Sequence, residues 1–168
     1  MNMKTKSLKN WIEDLKHRIS TIHTAMLTTS NGETMHSRPM LTMEMDENGE
    51  LWFFTSVHSV KIDDIKKGAI VNVSFADPDE QIFVSITGIA RITYDKDRIY
   101  KLWKPILKTW FEKGEEDSSL ILLNIRINHA EYWDASEYKM RNMINILGSI
   151  ITGDSAQITS EHKSIVLN

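Results

Sequence analysis

The 168-residue chain contains no cysteine. Disulfides, thiolate metal sites, iron–sulfur clusters and thiol nucleophiles are thereby excluded, and a reducing compartment suits the composition. Proline is scarce at three residues, and the seven glycines are scattered as punctuation, with no repeat or low-complexity tract. No apolar run approaches the roughly 20 residues that span a bilayer. The opening MNMKTKSLKNWIEDLKHR is charged throughout and has no apolar signal-peptide core. Neither sign of charge dominates: 20 Lys and Arg against 23 Asp and Glu leave a net charge of -3. That gives no electrostatic case for nucleic acid or an anionic membrane surface. The expectation is a cytoplasmic protein with no nucleic-acid and no membrane partner. Motif signals are also missing: there is no G-x-G-x-x-G, no P-loop and no G-x-S-x-G. Histidines 17, 23, 36, 58, 129 and 162 are dispersed, without an H-x-H or H-x-x-x-H pair, so no metal site is expected.

What is present is ordinary globular material, 41% hydrophobic and 26% charged, enough to bury a core in one domain over residues 1–168. Trp11, Ile12, Leu15 and Ile19 recur at helical spacing and predict an N-terminal helix over about 5–19. From Thr24 the period shortens. Ala25–Thr29, Met35–Met45 and Leu51–Thr55 read as strands joined by the turns Ser30-Asn31-Gly32-Glu33 and Asp46-Glu47-Asn48-Gly49. Ser59–Gly68 reads as a short helix, and Ala69–Ala76 and Gln81–Tyr94 as further strands, with Gly88 marking a bulge or bend. Asp95 to about Lys113 returns to helical spacing, kinked or split by Pro105. Leu120–Ile127 and Ala130–Asp134 read as two last strands, and Met143, Ile146 and Leu147 hint at a short helix in the tail, about 135–168. Six or seven strands with tight turns and no alternating βα units predict a small antiparallel barrel over about 24–134.

Chemistry concentrates at one place. The third strand ends in Phe53-Phe54-Thr55-Ser56, and Ser59-Val60-Lys61 opens the helix after it. Strand-end hydroxyls, helix N-terminal amides and a first-turn ammonium together suit an anionic phosphate. The alternative makes Ser59 a plain helix cap and Lys61 a solvated lysine. Asp63 and Asp64, in the first two turns, reduce the positive field. In Ser37-Arg38-Pro39-Met40, Pro39 suggests an edge or bulge, and Arg38 either faces water or meets an anionic or carbonyl-rich ligand. Trp110 and Trp133 are either plain core or walls for a wide flat ligand.

In chain order, T-T…S-R-P-M, L-W-F-F-T-S with Lys61 following, V-x-x-x-G-x-A-R-I, W-F-E-K-G-x-x-D and A-E-Y-W-D resemble the pyridoxamine 5'-phosphate oxidase-like split barrels. Within them the closest match is the bacterial general stress proteins, from about Ile12 to about Gly153. The resemblance implies a mainly β (α+β) fold, a six-stranded antiparallel split barrel with a few flanking helices. It also implies a homodimer with two FMN sites at the subunit interface. Carried over, Arg38, Pro39 and Met40 flank the isoalloxazine ring and ribityl chain, and Thr55, Ser56 and Lys61 hold the phosphate, with Phe54 in the same set. Trp133, and Trp110 with the segment near Gln81 and Phe83, approach from the other subunit. The implied activity is FMN-dependent oxidation or reduction of an unidentified small molecule, with no catalytic residue named. Alternatives are a flavin-binding or redox-sensing stress protein without turnover, or the same barrel holding haem or a deazaflavin. The vitamin B6 oxidases carry a basic residue for the substrate phosphate where this chain has Met43. Their Arg-Pro-rich segment has no counterpart between Tyr94 and Gly114, and only Lys139 and Arg141 stand near the place of their Arg-x-His pair. True pyridoxamine 5'-phosphate oxidase activity is not expected.

Overall fold

The computed structural model describes residues 3–134 and 161–166. Helix α1 spans Met3–Ile19, and its expected stripe of Ile12, Leu15 and Ile19 is buried against the interior of a barrel. The barrel strands are β1 (Thr24–Ser30), β2 (Met35–Met45), β3 (Glu50–Ser56), β4 (Ile70–Asp77), β5 (Ile82–Thr93) and β6 (Leu120–Asp134). Helix α2 (Val60–Lys67) links β3 to β4, and α3 (Lys96–Leu102) leads from β5 towards β6. The strands pair antiparallel in the order β3-β2-β1-β4-β5-β6, and a β3–β6 ladder closes the ring. The expected six-stranded antiparallel split barrel is what the chain forms.

Turn chemistry sets the first hairpin. The Asn31 carboxamide oxygen accepts from the Glu33 and Thr34 amides at 2.9 and 2.8 Å, and Gly32 takes φ 97, which a side chain would resist. Alternating positions of β1 then bury Ala25 and Leu27 inside the barrel. In β2 the alternation breaks at Met43, an extra residue between the Thr42–Phe53 and Glu44–Trp52 pairs. The bulge turns Met43 outward, into a cluster with Phe54, Leu102, Leu107 and Phe111, while Met40 and Met45 stay in the interior. Two apolar layers result. One fills the barrel, and the other packs α3 and the segment after it on the outside of β2, β3 and β6.

One open alternative is settled and two expectations change. The helical segment expected over 95–113, kinked or split by Pro105, is split: α3 stops at Leu102, and a separate 3-10 turn, Pro105–Thr109, begins with Pro105. Proline lacks the amide the helix would need and disfavours the helical conformation in the residue before it. The two last strands are one, β6. Its register against β5 slips between the Thr87–His129 and Gly88–Ile127 pairs, leaving Asn128 as the bulge residue. Gly88 lies opposite that slip because a Cβ there would sit 2.5 Å from the Arg126 carbonyl oxygen. Finally, a seventh strand, β7 (Glu161–Val166), pairs with the second half of β6 within the region expected as tail. The helix hinted at near Met143 lies outside the described residues. Among the described residues no helix is long and apolar enough to cross a membrane.

Candidate functional site

The Pro39–Leu41 stretch of β2, the end of β3 and the Pro105 turn surround a cleft of ≈ 520 Å³. Pro39 and Met40 enter it from β2, Phe54, Thr55 and Ser56 from β3, and Lys61 from the first turn of α2. Leu107, Trp110 and Phe111 form the opposite wall, with Thr24, Leu41 and Ser59 completing the lining. Seven of the twelve lining residues, Trp110 among them, are therefore sequence-predicted ones, brought together by the closing of the barrel.

The polar end is built on the strand-to-helix junction. Lys61 Nζ donates to Thr55 Oγ1 at 3.0 Å and to Ser59 Oγ at 2.6 Å. Ser59 holds the N-cap position with extended φ and ψ, yet its hydroxyl caps no helix amide. The plain-cap alternative thus gives way to a hydroxyl held by the lysine, beside a helix N-terminus that no side chain caps. Lys61 is not a solvated lysine either. Burial holds its ammonium below the ordinary 10.5, and the Arg38 charge pushes the same way. The Ser56 hydroxyl accepts from the His58 amide at 3.2 Å.

The two helix acids do not face this end. Asp63 is exposed and stands 3.8 Å from Lys66. Asp64 is buried, accepts from the Thr29 hydroxyl at 2.7 Å and lies 3.2 Å from His36 Nδ1. The Thr29 hydroxyl, first among the causes, holds the Asp64 carboxyl below its ordinary 3.8, with His36 and Arg38 adding to it against the cost of burial. Arg38 is outside the cleft lining. Its NH1 donates to Thr29 Oγ1 at 2.6 Å and its NH2 stands 3.6 Å from Asp64. In the structure the partners of the guanidinium, Thr29 and Asp64, lie within the protein.

Of the remaining predicted positions, Trp110 falls within the lining and Gln81 and Trp133 fall outside it. Trp110 lines the cleft of its own chain and is 63% exposed at its rim. Gln81 is exposed, in a left-handed turn conformation at φ 56, outside the lining. Trp133 pairs across strands with Phe83, also outside the lining, and the two are 37% and 42% exposed. Sequence reasoning missed Leu107 and Phe111 as cleft walls, and it missed the Thr29–Asp64 contact. A signal for the contact existed: helical spacing places Asp64 beside Ile65 on the inward side of α2, where an acid needs a partner.

Comparison with known proteins gives a consistent picture. The profile of the family described as "Pyridoxamine 5'-phosphate oxidase like" matches residues 10–157. A general stress FMN/FAD binding protein from Xanthomonas citri is 31% identical, over 77% of this chain and 89% of that one, with a TM-score of 0.65. General stress protein 26 from Jannaschia sp. CCS1 shares the fold at 20% identity, with a TM-score of 0.72 over 92% of this chain and 99% of that one. Protein bli-3 of Neurospora crassa is 27% identical over 158 residues, 88% of this chain and 76% of its own length.

Proposed function

Because the chain belongs to the pyridoxamine 5'-phosphate oxidase-like family, on its general stress protein branch, we propose that the cleft binds FMN. In this reading the protein is a cytoplasmic flavin-dependent oxidoreductase acting on an unidentified small molecule. One observation carries it: a half-buried ammonium, gripped by two hydroxyls, stands beside a helix N-terminus that no side chain caps. Leaving a charge there without an anion is costly, and a phosphate dianion offsets that cost. The apolar remainder suits a flat ring system, with Met40, Leu107 and Phe111 as walls and Trp110 at the rim. The cofactor named in the Xanthomonas citri relative fits this division into a charged end and an apolar wall. When bound, the flavin supplies the redox chemistry; the chain's own residues anchor, orient and shield it.

The assembly in this reading is a homodimer. Met26, Phe83 and Trp133 lie exposed on the outer face of the barrel, where monomers rarely gather large apolar side chains. A second copy seated on that face would bring its Gln81 and Trp133 towards the cleft. Met43 lies buried in the outer cluster and provides no cation for a substrate phosphate, so pyridoxamine 5'-phosphate is not the substrate in this reading.

The test is direct. Protein purified from its host is expected to be yellow, to release FMN on denaturation, and to sediment as a dimer. Colourless protein that shows no heat of binding with added FMN or FAD overturns the reading. A second reading, flavin storage or sensing without turnover, is favoured by one observation: among the described residues the cleft lining contains no imidazole or carboxylate. Anaerobic mixing with NADH or NADPH separates the two, since bleaching of bound flavin is expected only of an oxidoreductase.

A further inference from the structure

We propose that Asp64 is a positioning residue for the anion site: it retains the Arg38 guanidinium at the barrel mouth, and a phosphate arriving beside Lys61 draws Arg38 off that carboxylate. This rests on the reading of the cleft as a phosphate site. Asp64 follows Lys61 by three residues on α2, about one turn further along the helix. The buried carboxylate is satisfied without Arg38, because the Thr29 hydroxyl donates to it at 2.7 Å and His36 stands at 3.2 Å. The guanidinium makes its short bond, 2.6 Å, to the neutral Thr29 oxygen, and its 3.6 Å approach to Asp64 is beyond hydrogen-bond distance. Arg38 is therefore the loosely held member of the cluster. The two residues after it, Pro39 and Met40, line the cleft. Its charge already disfavours the Lys61 ammonium, and an anion lying between the two cations removes that repulsion.

The consequence runs against the usual effect of removing a buried polar group. Asp64→Asn leaves Arg38 with only the Thr29 hydroxyl and gives the cleft more positive charge, so anions bind more tightly even where the fold is weakened. The experiment uses the full chain, titrated separately with inorganic phosphate and with FMN. In the wild type, the side-chain 15N resonance of Arg38, identified through Arg38→Gln, is expected to move on saturation with either. Asp64→Asn is expected to tighten phosphate affinity about fivefold at neutral pH, and Arg38→Gln in the same background to abolish the gain. An unmoved Arg38 resonance in the saturated wild type overturns the proposal, as does a folded Asp64→Asn protein with equal or weaker affinity. Should Asp64→Asn fail to fold, the wild-type resonance decides alone. Phosphate binding that moves Arg38 while FMN fails to bind upholds this inference and overturns the flavin reading; FMN binding with Arg38 unmoved does the reverse.

Discussion

The Lys61 ammonium lies 3.0 Å from the Thr55 hydroxyl, joining the end of β3 to the first turn of α2. Thr55 is buried, so this bond anchors the lysine at the edge of the packed structure. Strand, junction and helix act as one rigid mount for a charge aimed into the cleft.

Lys61→Ala removes that charge and is expected to weaken FMN affinity by about 1–3 kcal/mol, or roughly fivefold to 150-fold. Thr55→Val, which leaves the ammonium with Ser59, is expected to cost less. Isothermal titration checks both, and unchanged affinity in the two variants would place the phosphate elsewhere.

The same lysine sets a pH dependence. Its pKa in the free protein lies below 10.5, through burial first and the Arg38 charge second. A phosphate dianion favours the charged form, so binding draws a proton onto Lys61 as pH rises. The affinity owed to this residue is complete below its free-protein pKa, which lies under 10.5, and fades as pH climbs from there through the higher pKa of the complex. The ratio of wild-type to Lys61→Ala affinity, measured from neutral to alkaline pH, is expected to fall towards one.

Asp64 works at the acid end. Its folded pKa is depressed below 3.8, so its contribution to stability is present above 3.8 and is lost as pH falls through the folded value. Thermal melts of wild type and Asp64→Asn should differ most at neutral pH and converge in strong acid. A constant difference across that range would mean that the carboxylate charge is not what its partners stabilise.

Gly88→Ala tests the barrel seam. The added methyl meets the Arg126 carbonyl oxygen at 2.5 Å and the Ile125 side chain at 2.7 Å, so strand backbone must shift. A loss of about 1–3 kcal/mol is expected from overpacking, read as a lower midpoint in urea. Neutral behaviour would show that β5 and β6 separate easily at the bulge.

The strand ends were legible because they depend on local pattern. Met35–Met45 reads as a strand from its composition and its turn-forming flanks, and the structure has the same limits. The Thr55–Lys61 end of the site was legible for the same reason, since seven residues of continuous chain create it. Arg38 was not. Its partners are Thr29, on the neighbouring strand, and Asp64, on a helix two elements away, and no periodicity connects them. That Trp110 lines the cleft of its own chain was not legible either, because it depends on how the 3-10 turn begun by Pro105 packs, which helical spacing does not show.

By itself, then, the order of residues determined which segments extend, where they turn, and that hydroxyls and an ammonium gather at one junction. Hydrophobic period and turn chemistry act over a few residues and need no knowledge of the whole. Barrel closure decided the rest: that the Met43 bulge faces the outer layer, that Leu107 and Phe111 wall the cleft, and that a buried acid sits beneath Arg38. Those outcomes depend on which surfaces meet when β3 pairs with β6, and burial makes a charge choose its partner only once those surfaces exist.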